Sequence, residues 1–385
     1  MKYKLLEICD YVKEKVEISK LDTHTYISTE NMIPNKAGIC KASSLPTIQQ
    51  TQSFYKGDVL VSNIRPYFKK IWYATFNGGC SNDVLVFRAK DGVSSRFLYY
   101  TLADDAFFEY SMATSKGTKM PRGDRDAIMK YEILQFTYED QEKIAGILEG
   151  IDRKRQLNTE INENLFQQAS LLFEKAIYQS NSFSNIELGS LAEVKGGKRL
   201  PKGVNLITVP NQHPYIRVRD LNNAVFASLS KDYEYIDNET QKSISRYIVS
   251  TDDVLISIVG TIGLTAIVDY TLDKANLTEN CVKLTNFKVV TPEYLLLFLR
   301  STQGVEAMSK GTVGAVQLKL PIKNIQSISV PVLCDEELQP LTEILSAIFS
   351  QISTNVVEIK KFAELRDTLL PRLISGELDV STLDI

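Results

Sequence analysis

The chain has 385 residues, 44% of them apolar and 24% charged, which fits a folded protein of two or three domains and excludes a disordered or collagen-like chain. No apolar run is long enough to cross a bilayer, and the start, MKYKLLEICDYVKEK, returns to charge too soon for a signal peptide. Five scattered cysteines, with only His24 and His213 beside them, form no zinc pattern and no C-x-x-C pair, so reduced thiols in a cytoplasmic protein are expected.

The net charge of −3 conceals an alternation. Residues 1–138 hold 19 Lys/Arg against 15 Asp/Glu and residues 181–334 hold 16 against 14, so both are mildly basic. Residues 139–180 hold 5 against 8 and residues 335–385 hold 4 against 10. A polyanion would meet the basic segments, leaving the acidic ones to face away or to face protein.

Residues 1–138 read as a mixed α/β (α+β) domain. DVLVSNI, KIWYATF and SNDVLVFR are β-rich runs introduced by turn residues, a helix is expected at about 95–112, and YEILQF closes the domain. Residues 139–180 form one long helix, about 40 residues and roughly 60 Å at 1.5 Å per residue. Residues 181–334 then repeat the first domain. YISTENM (26–32) answers YIRVRDL (215–221), KGDVLVSNI (56–64) answers TDDVLISIV (251–259), RFLYYTL (96–102) answers EYLLLFL (293–299), and TSKGTKM (114–120) answers MSKGTVG (308–314). The second copy carries its own expected helix at 292–308, and a second long helix and tail follow in 335–385.

Both long helices carry apolar residues three and four apart, the seam of one helix lying along another. In the first the seam is Ile144, Ile147, Ile151, Ile161, Leu165 and Leu172, with Asn158, Gln168 and Lys175 as polar members. In the second it is Leu341, Leu345, Ile348, Ile352, Ile359, Phe362 and Leu369. Domain–helix–domain–helix order suggests a pseudo-twofold, with the helices as an antiparallel coiled-coil pair joining two similar domains. Phe166, Leu171, Phe173, Tyr178, Phe349, Val356 and Leu365 lie off the seam and are expected to meet a domain or another subunit. The helix is expected to end at Pro371.

Catalytic motifs are missing. GTIG (260–263) lacks the remaining glycines of a dinucleotide fingerprint, VKGGKRLPKG (194–203) lacks a P-loop ending, and NQHPY (211–215) departs from a methyltransferase motif. Two histidines support no Ser-His-Asp triad, and no cofactor or metal site is expected in this chain. What remains is polar loops at matched places. In the first copy they hold Ser62, Asn63, Arg65, Lys69 and Lys70, then Lys116, Thr118, Lys119 and Arg122. In the second they hold Lys198, Arg199, Lys202, Arg217 and Arg219, then Lys310, Thr312, Gln317 and Lys319. Lys and Arg beside glycine and small hydroxyls suit phosphate contacts, and Arg, Asn and Gln can read base edges. Two such surfaces at fixed spacing fit DNA read in two half-sites. The other reading is a duplicated-domain scaffold that binds proteins without DNA specificity.

The blocks KGDVLVSNIRP and TDDVLISIVGTIG, the stretch SKGTVGAVQLKLPIKNIQSISVPV and the closing LRDTLLPRLISGEL decide between them. With the repeat and its two long helices, they make the whole chain resemble the specificity subunit of Type I restriction-modification systems, HsdS. The resemblance implies two target-recognition domains (1–138 and 181–334) and two spacer helices (139–180 and 335–385). It implies a non-catalytic chain that binds double-stranded DNA at a split target. It also implies partners: two modification methyltransferase subunits and restriction/translocase subunits, which would hold S-adenosylmethionine, ATP and Mg. No membrane partner is implied.

Overall fold

The computed structural model describes residues 2–180, 182–222, 224–314 and 318–381. The chain divides into two compact units, Met1–Gln156 with Ile359–Ile385, and Leu157–Glu358. Each long helix, Tyr138–Gln179 and Asp335–Ile374, contributes to both.

In the first unit a four-stranded antiparallel sheet runs in the order Cys9–Tyr11, Val84–Ala89, Val59–Ser62, Ile71–Tyr73. Its central strand is apolar at consecutive positions because both faces are covered. Val59 and Val61 pack with Leu98, Leu102 and Phe107 on one side, and Leu60 packs with Phe54 and Trp72 on the other. A second sheet holds Lys15–Glu17, Gln50–Phe54, Gly78–Cys80 and Tyr26–Ile27. Lys2–Lys4 pairs with Glu132–Leu134, bringing the start of the domain to its end.

The second unit repeats this plan. Glu193–Gly196, Cys281–Thr285, Val254–Ser257 and Thr265–Val268 take the places of the four strands, with Phe226–Ala227 added at the edge. Val254 and Ile256 face one core and Leu255 another. Tyr215–Ile216 pairs in parallel with Asn276–Leu277, as Tyr26–Ile27 does with Gly78–Cys80. Phe183–Glu187 pairs with Ser329–Leu333 as the closing ribbon.

The helix expected at 95–112 is two helices, Ser95–Ala103 and Asp105–Ala113, and that at 292–308 is Pro292–Arg300 and Thr302–Lys310. Asp104 and Ser301 break them. Each adopts an extended backbone, and each side chain caps the following helix through the N–H of Ala106 or Gly304. The last helix continues past Pro371 to Ile374, because Leu370, Leu373 and Ile374 are buried against Phe97, Ile144 and Leu148.

The long helices pack antiparallel. In the first unit Arg366 reaches Asp152 at 3.4 Å, and in the second Asn158 meets Glu358, Asn162 meets Asn355, Phe166 meets Phe349 and Ser180 meets Glu337. Residue numbers rise on one helix as they fall on the other. Ile144, Ile151 and Asn158 are buried, Ile147 and Leu165 half-buried; on the partner Leu341, Leu345 and Ile352 are buried, and Ile348, Ile359, Phe362 and Leu369 half-buried. Four expected seam positions are corrected: Ile161 is 44% and Leu172 37% exposed, and Gln168 and Lys175 are exposed as well. The inward positions there are Asn162, Ala169 and Phe173, one residue later. A seam searched for by apolar character passes over an asparagine and an alanine and selects their larger neighbours. Phe173 and Phe349, expected off the seam, are buried, Phe173 against Tyr294 and Phe349 between Phe166 and Phe226.

Candidate nucleic-acid interface

In each unit the strand that follows Asp58 or Asp253 ends in a turn, and a short hairpin docks on that turn. In the first, Lys116 and Arg122 exchange backbone hydrogen bonds of 2.9 and 3.0 Å, and the Gly123 N–H donates to the Asn63 carbonyl at 3.2 Å. In the second, Val313 and Lys319 exchange bonds of 2.8 and 2.9 Å, and the Leu320 N–H donates to the Ile258 carbonyl at 3.0 Å. The hairpins turn at Gly117 and Gly314, with φ of 94° and 110°, a region that favours glycine. Arg122 is therefore equivalent to Lys319, and Lys116 to Val313. The repeated SKGT is offset by three residues: in the first copy it enters the hairpin, whereas in the second Lys310 ends the preceding helix.

The turns beneath the hairpins differ. In the first copy Arg65 and Lys69 both adopt φ of 50° around the single turn Pro66–Phe68, an uncommon conformation for residues other than glycine. In the second, Gly260 and Gly263 take φ of 79° and 86°. Ser62 and Asn63, expected as DNA contacts, are buried: the Ser62 hydroxyl donates to the Ile64 carbonyl and Asn63 supports the hairpin through its backbone. Both lie beneath the hairpin rather than on its surface.

Most of the nominated cations are already engaged. Lys69 pairs with Asp105 at 2.8 Å, Lys116 with Asp124 at 2.5 Å, Arg122 with Asp83 at 3.1 Å, Arg199 with Glu279 at 2.6 Å and Lys310 with Glu306 at 3.3 Å. Arg217 and Arg219 share Glu234. Lys70 donates to the Thr29 carbonyl at 2.6 Å, Lys198 lies 5.6 Å from the Tyr247 ring centroid, and the half-buried Arg65 leaves its Nε without a hydrogen-bond partner. Thr118 and Lys119 stand exposed at the hairpin tip, and the Thr312 hydroxyl donates to the Ser309 carbonyl. Lys119, Lys202 and Lys319 are exposed and have no ion pair among the described residues. Gln317 lies outside the described residues. The carboxylates that hold these cations, Asp83, Asp105, Glu234 and Glu279, are the functional neighbours the sequence reading missed. Asp83, Glu234 and Glu279 come from loops and Asp105 from the first turn of a helix, and no local spacing marks them.

Behind the second surface the Asp220 carboxyl is pushed up to about 6, because burial outweighs the attraction of Arg219. It accepts the Arg217 N–H at 2.8 Å. Among the described residues no group of three or more His, Cys, Asp or Glu could hold a metal ion, and no helix is long and apolar enough to cross a membrane.

These features define a duplicated α/β protein with paired long helices and a polar loop-and-hairpin surface on each domain. The chain belongs to the Type I restriction modification DNA specificity domain family, matched over residues 1–167 and 181–362. It is 22% identical to the Type I restriction enzyme HindI specificity subunit of Haemophilus influenzae, over 98% of this chain and 99% of that one. It is 24% identical to the MjaIX specificity subunit of Methanocaldococcus jannaschii, over 86% of this chain and 79% of that one. The crystal structure of the Type I restriction-modification S subunit from M. genitalium shares the fold, with a TM-score of 0.57, 18% identity and coverage of 97% and 96% of the two chains. As a member of this family the chain supplies sequence-specific DNA binding to a Type I restriction-modification complex, a non-catalytic role.

Proposed function

We propose that the chain reads a split duplex target, one half with residues 1–138 and the other with residues 181–334, while the helix pair sets their separation. The observation that carries this is the repeated hairpin, docked on equivalent turns by equivalent hydrogen bonds in both domains. A binder of a single continuous site has no need for two. Two modification methyltransferase subunits and the restriction/translocase subunits are its partners in the cytoplasm. Those subunits bind S-adenosylmethionine, ATP and Mg and carry out the chemistry. Exposed Leu171 (65%) and Tyr178 (91%) on the central helix suit docking of a partner. The test is selection from randomised duplex DNA by the chain assembled with its methyltransferase. A motif of two fixed blocks around an unconstrained gap is expected; one continuous block, or no enrichment, overturns the reading.

A further inference from the structure

The two domains also carry one pocket in the same place of the fold, with inverted chemistry. In the first, the Ser28 N–H donates to the Asn31 side chain at 2.6 Å, the Ser81 N–H to the Ile27 carbonyl at 2.9 Å, and the Asn63 N–H to the Asp83 carbonyl at 2.8 Å. In the second, the Arg217 N–H donates to Asp220 at 2.8 Å, the Thr278 N–H to the Ile216 carbonyl at 3.0 Å, and the Ile258 N–H to the Asn280 carbonyl at 2.8 Å. Three matched bonds fix the correspondence: Ser28 with Arg217, Asp83 with Asn280, and, between the first and last residues of the turn, Glu30 with Arg219. The cavities measure about 480 and about 410 Å³.

The cradle is constant and its lining is not. The first pocket has the carboxylates of Glu30 and Asp83 with serine hydroxyls, and one ammonium, Lys41. The second is lined by the guanidiniums of Arg199, Arg217 and Arg219 with one carboxylate, Glu279, which pairs with Arg199. Within each turn one side chain projects to solvent. The Glu30 carboxylate has no hydrogen bond or ion pair among the described residues. Arg219 is held from behind, its Nη2 donating to Glu234 at 3.2 Å and to the Asp232 carbonyl at 3.4 Å and its Nε lying 3.5 Å from Asp220, which leaves Nη1 without a partner among the described residues. Solvation alone would not require opposite charge at equivalent positions of a backbone turn that both domains share beside the hairpin. Reading two different half-sites would.

Resting on the split-target reading, we propose that Glu30 and Arg219 are equivalent base-reading positions. Glu30 accepts a hydrogen bond from the exocyclic amine of a cytosine, and Arg219 donates through Nη1 to the O6/N7 edge of a guanine. Each pocket seats one base edge of its own half-site.

Selection from randomised duplexes, with the chain assembled with its methyltransferase, tests this on Glu30→Gln, Arg219→Gln and Arg219→Lys. Glu30→Gln is expected to lose cytosine preference, by about ten- to hundredfold, at one position of one half-site only. Arg219→Gln is expected to replace guanine by adenine at one position of the other half-site. Arg219→Lys keeps the charge but loses the second nitrogen by which Glu234 and the Asp232 carbonyl orient the guanidinium, so total affinity and salt dependence persist while guanine selectivity falls. Unchanged motifs in the glutamine variants, or uniform weakening across all sequences as a phosphate contact would give, overturn the assignment. Failure of the unsubstituted chain to select a split motif would instead overturn the functional reading beneath it.

Discussion

Asn162 and Asn355 face each other between the two long helices, the Asn355 amide donating to the Asn162 side-chain oxygen at 2.8 Å. Asn158 extends this polar layer with a 2.9 Å bond to Glu358. A buried asparagine pair favours one register, because a slipped alignment leaves its amides without partners. Asn355→Leu alone is expected to destabilise the protein by about 1–3 kcal/mol, since the Asn162 side-chain oxygen loses its donor. Asn162→Leu with Asn355→Leu should recover that loss yet relax the register. Urea unfolding reads the first effect. Yield of a disulfide between Phe166→Cys and Phe349→Cys, which face each other, reads the second.

A second pair shows the repeat conserving one charge and moving the other. Asp58 accepts the Tyr55 N–H at 2.7 Å and binds Arg88 through two 2.8 Å bonds; Asp253 accepts the Ser250 N–H at 2.8 Å and binds Lys283 at 2.7 Å. Val59 lies opposite Phe87 and Val254 opposite Leu284, so Arg88 follows the paired residue whereas Lys283 precedes it. The Lys283 side chain is the more buried, and Arg88 also has Glu14 at 3.3 Å. Asp253→Asn is therefore expected to cost about 3–5 kcal/mol by leaving a buried ammonium unpaired, and Asp58→Asn less. Adding Lys283→Met should restore most of the Asp253 loss in chemical denaturation.

Asp220 makes stability depend on pH in an unusual sense. Its carboxyl, raised from 3.8 to about 6 in the folded state, binds a proton more tightly there than when unfolded. Its contribution is thus fully present below about 4 and is lost as pH rises through about 6. The equivalent residue in the first domain is Asn31, whose side-chain oxygen accepts the Ser28 N–H without a charge to desolvate. Asp220→Asn should keep the turn, raise stability at pH 7 and flatten the slope between pH 4 and 7. Thermal unfolding across that range measures both.

The duplication and the paired helices were legible because they rest on patterns that survive in one dimension: apolar runs, three/four spacing and repeated order. The seam slipped where Asn162 and Ala169 face inward, since neither advertises burial by its own character. The offset between the SKGT segments was hidden for a related reason: identical residues suggested equivalence where hydrogen-bond partners do not. The candidate surface was legible as a set of loops but not as individual contacts. Ser62 and Asn63 are polar yet buried, and whether a lysine is free depends on carboxylates such as Asp83 and Asp105 that only folding brings near.

The engaged cations set the electrostatics of DNA binding. Arg122 and Lys116 already hold carboxylates, so Lys119, Lys202 and Lys319, which have no ion pair among the described residues, should dominate counterion release. Alanine at any one of these three is expected to reduce the slope of log K against log salt by about 0.9, with the selected motif unchanged. Alanine at Lys310 should change it less. Fluorescence anisotropy titrations at several salt concentrations give the slopes.

The account rests on the two hairpins meeting different halves of one target. Placing a photo-crosslinking amino acid at Lys119 or Lys319, in the assembly with its methyltransferase on a selected duplex, addresses that directly. The expected result is efficient crosslinking from both positions, Lys119 to one half-site and Lys319 to the other. Crosslinks from both to the same half-site, or from neither, would contradict it.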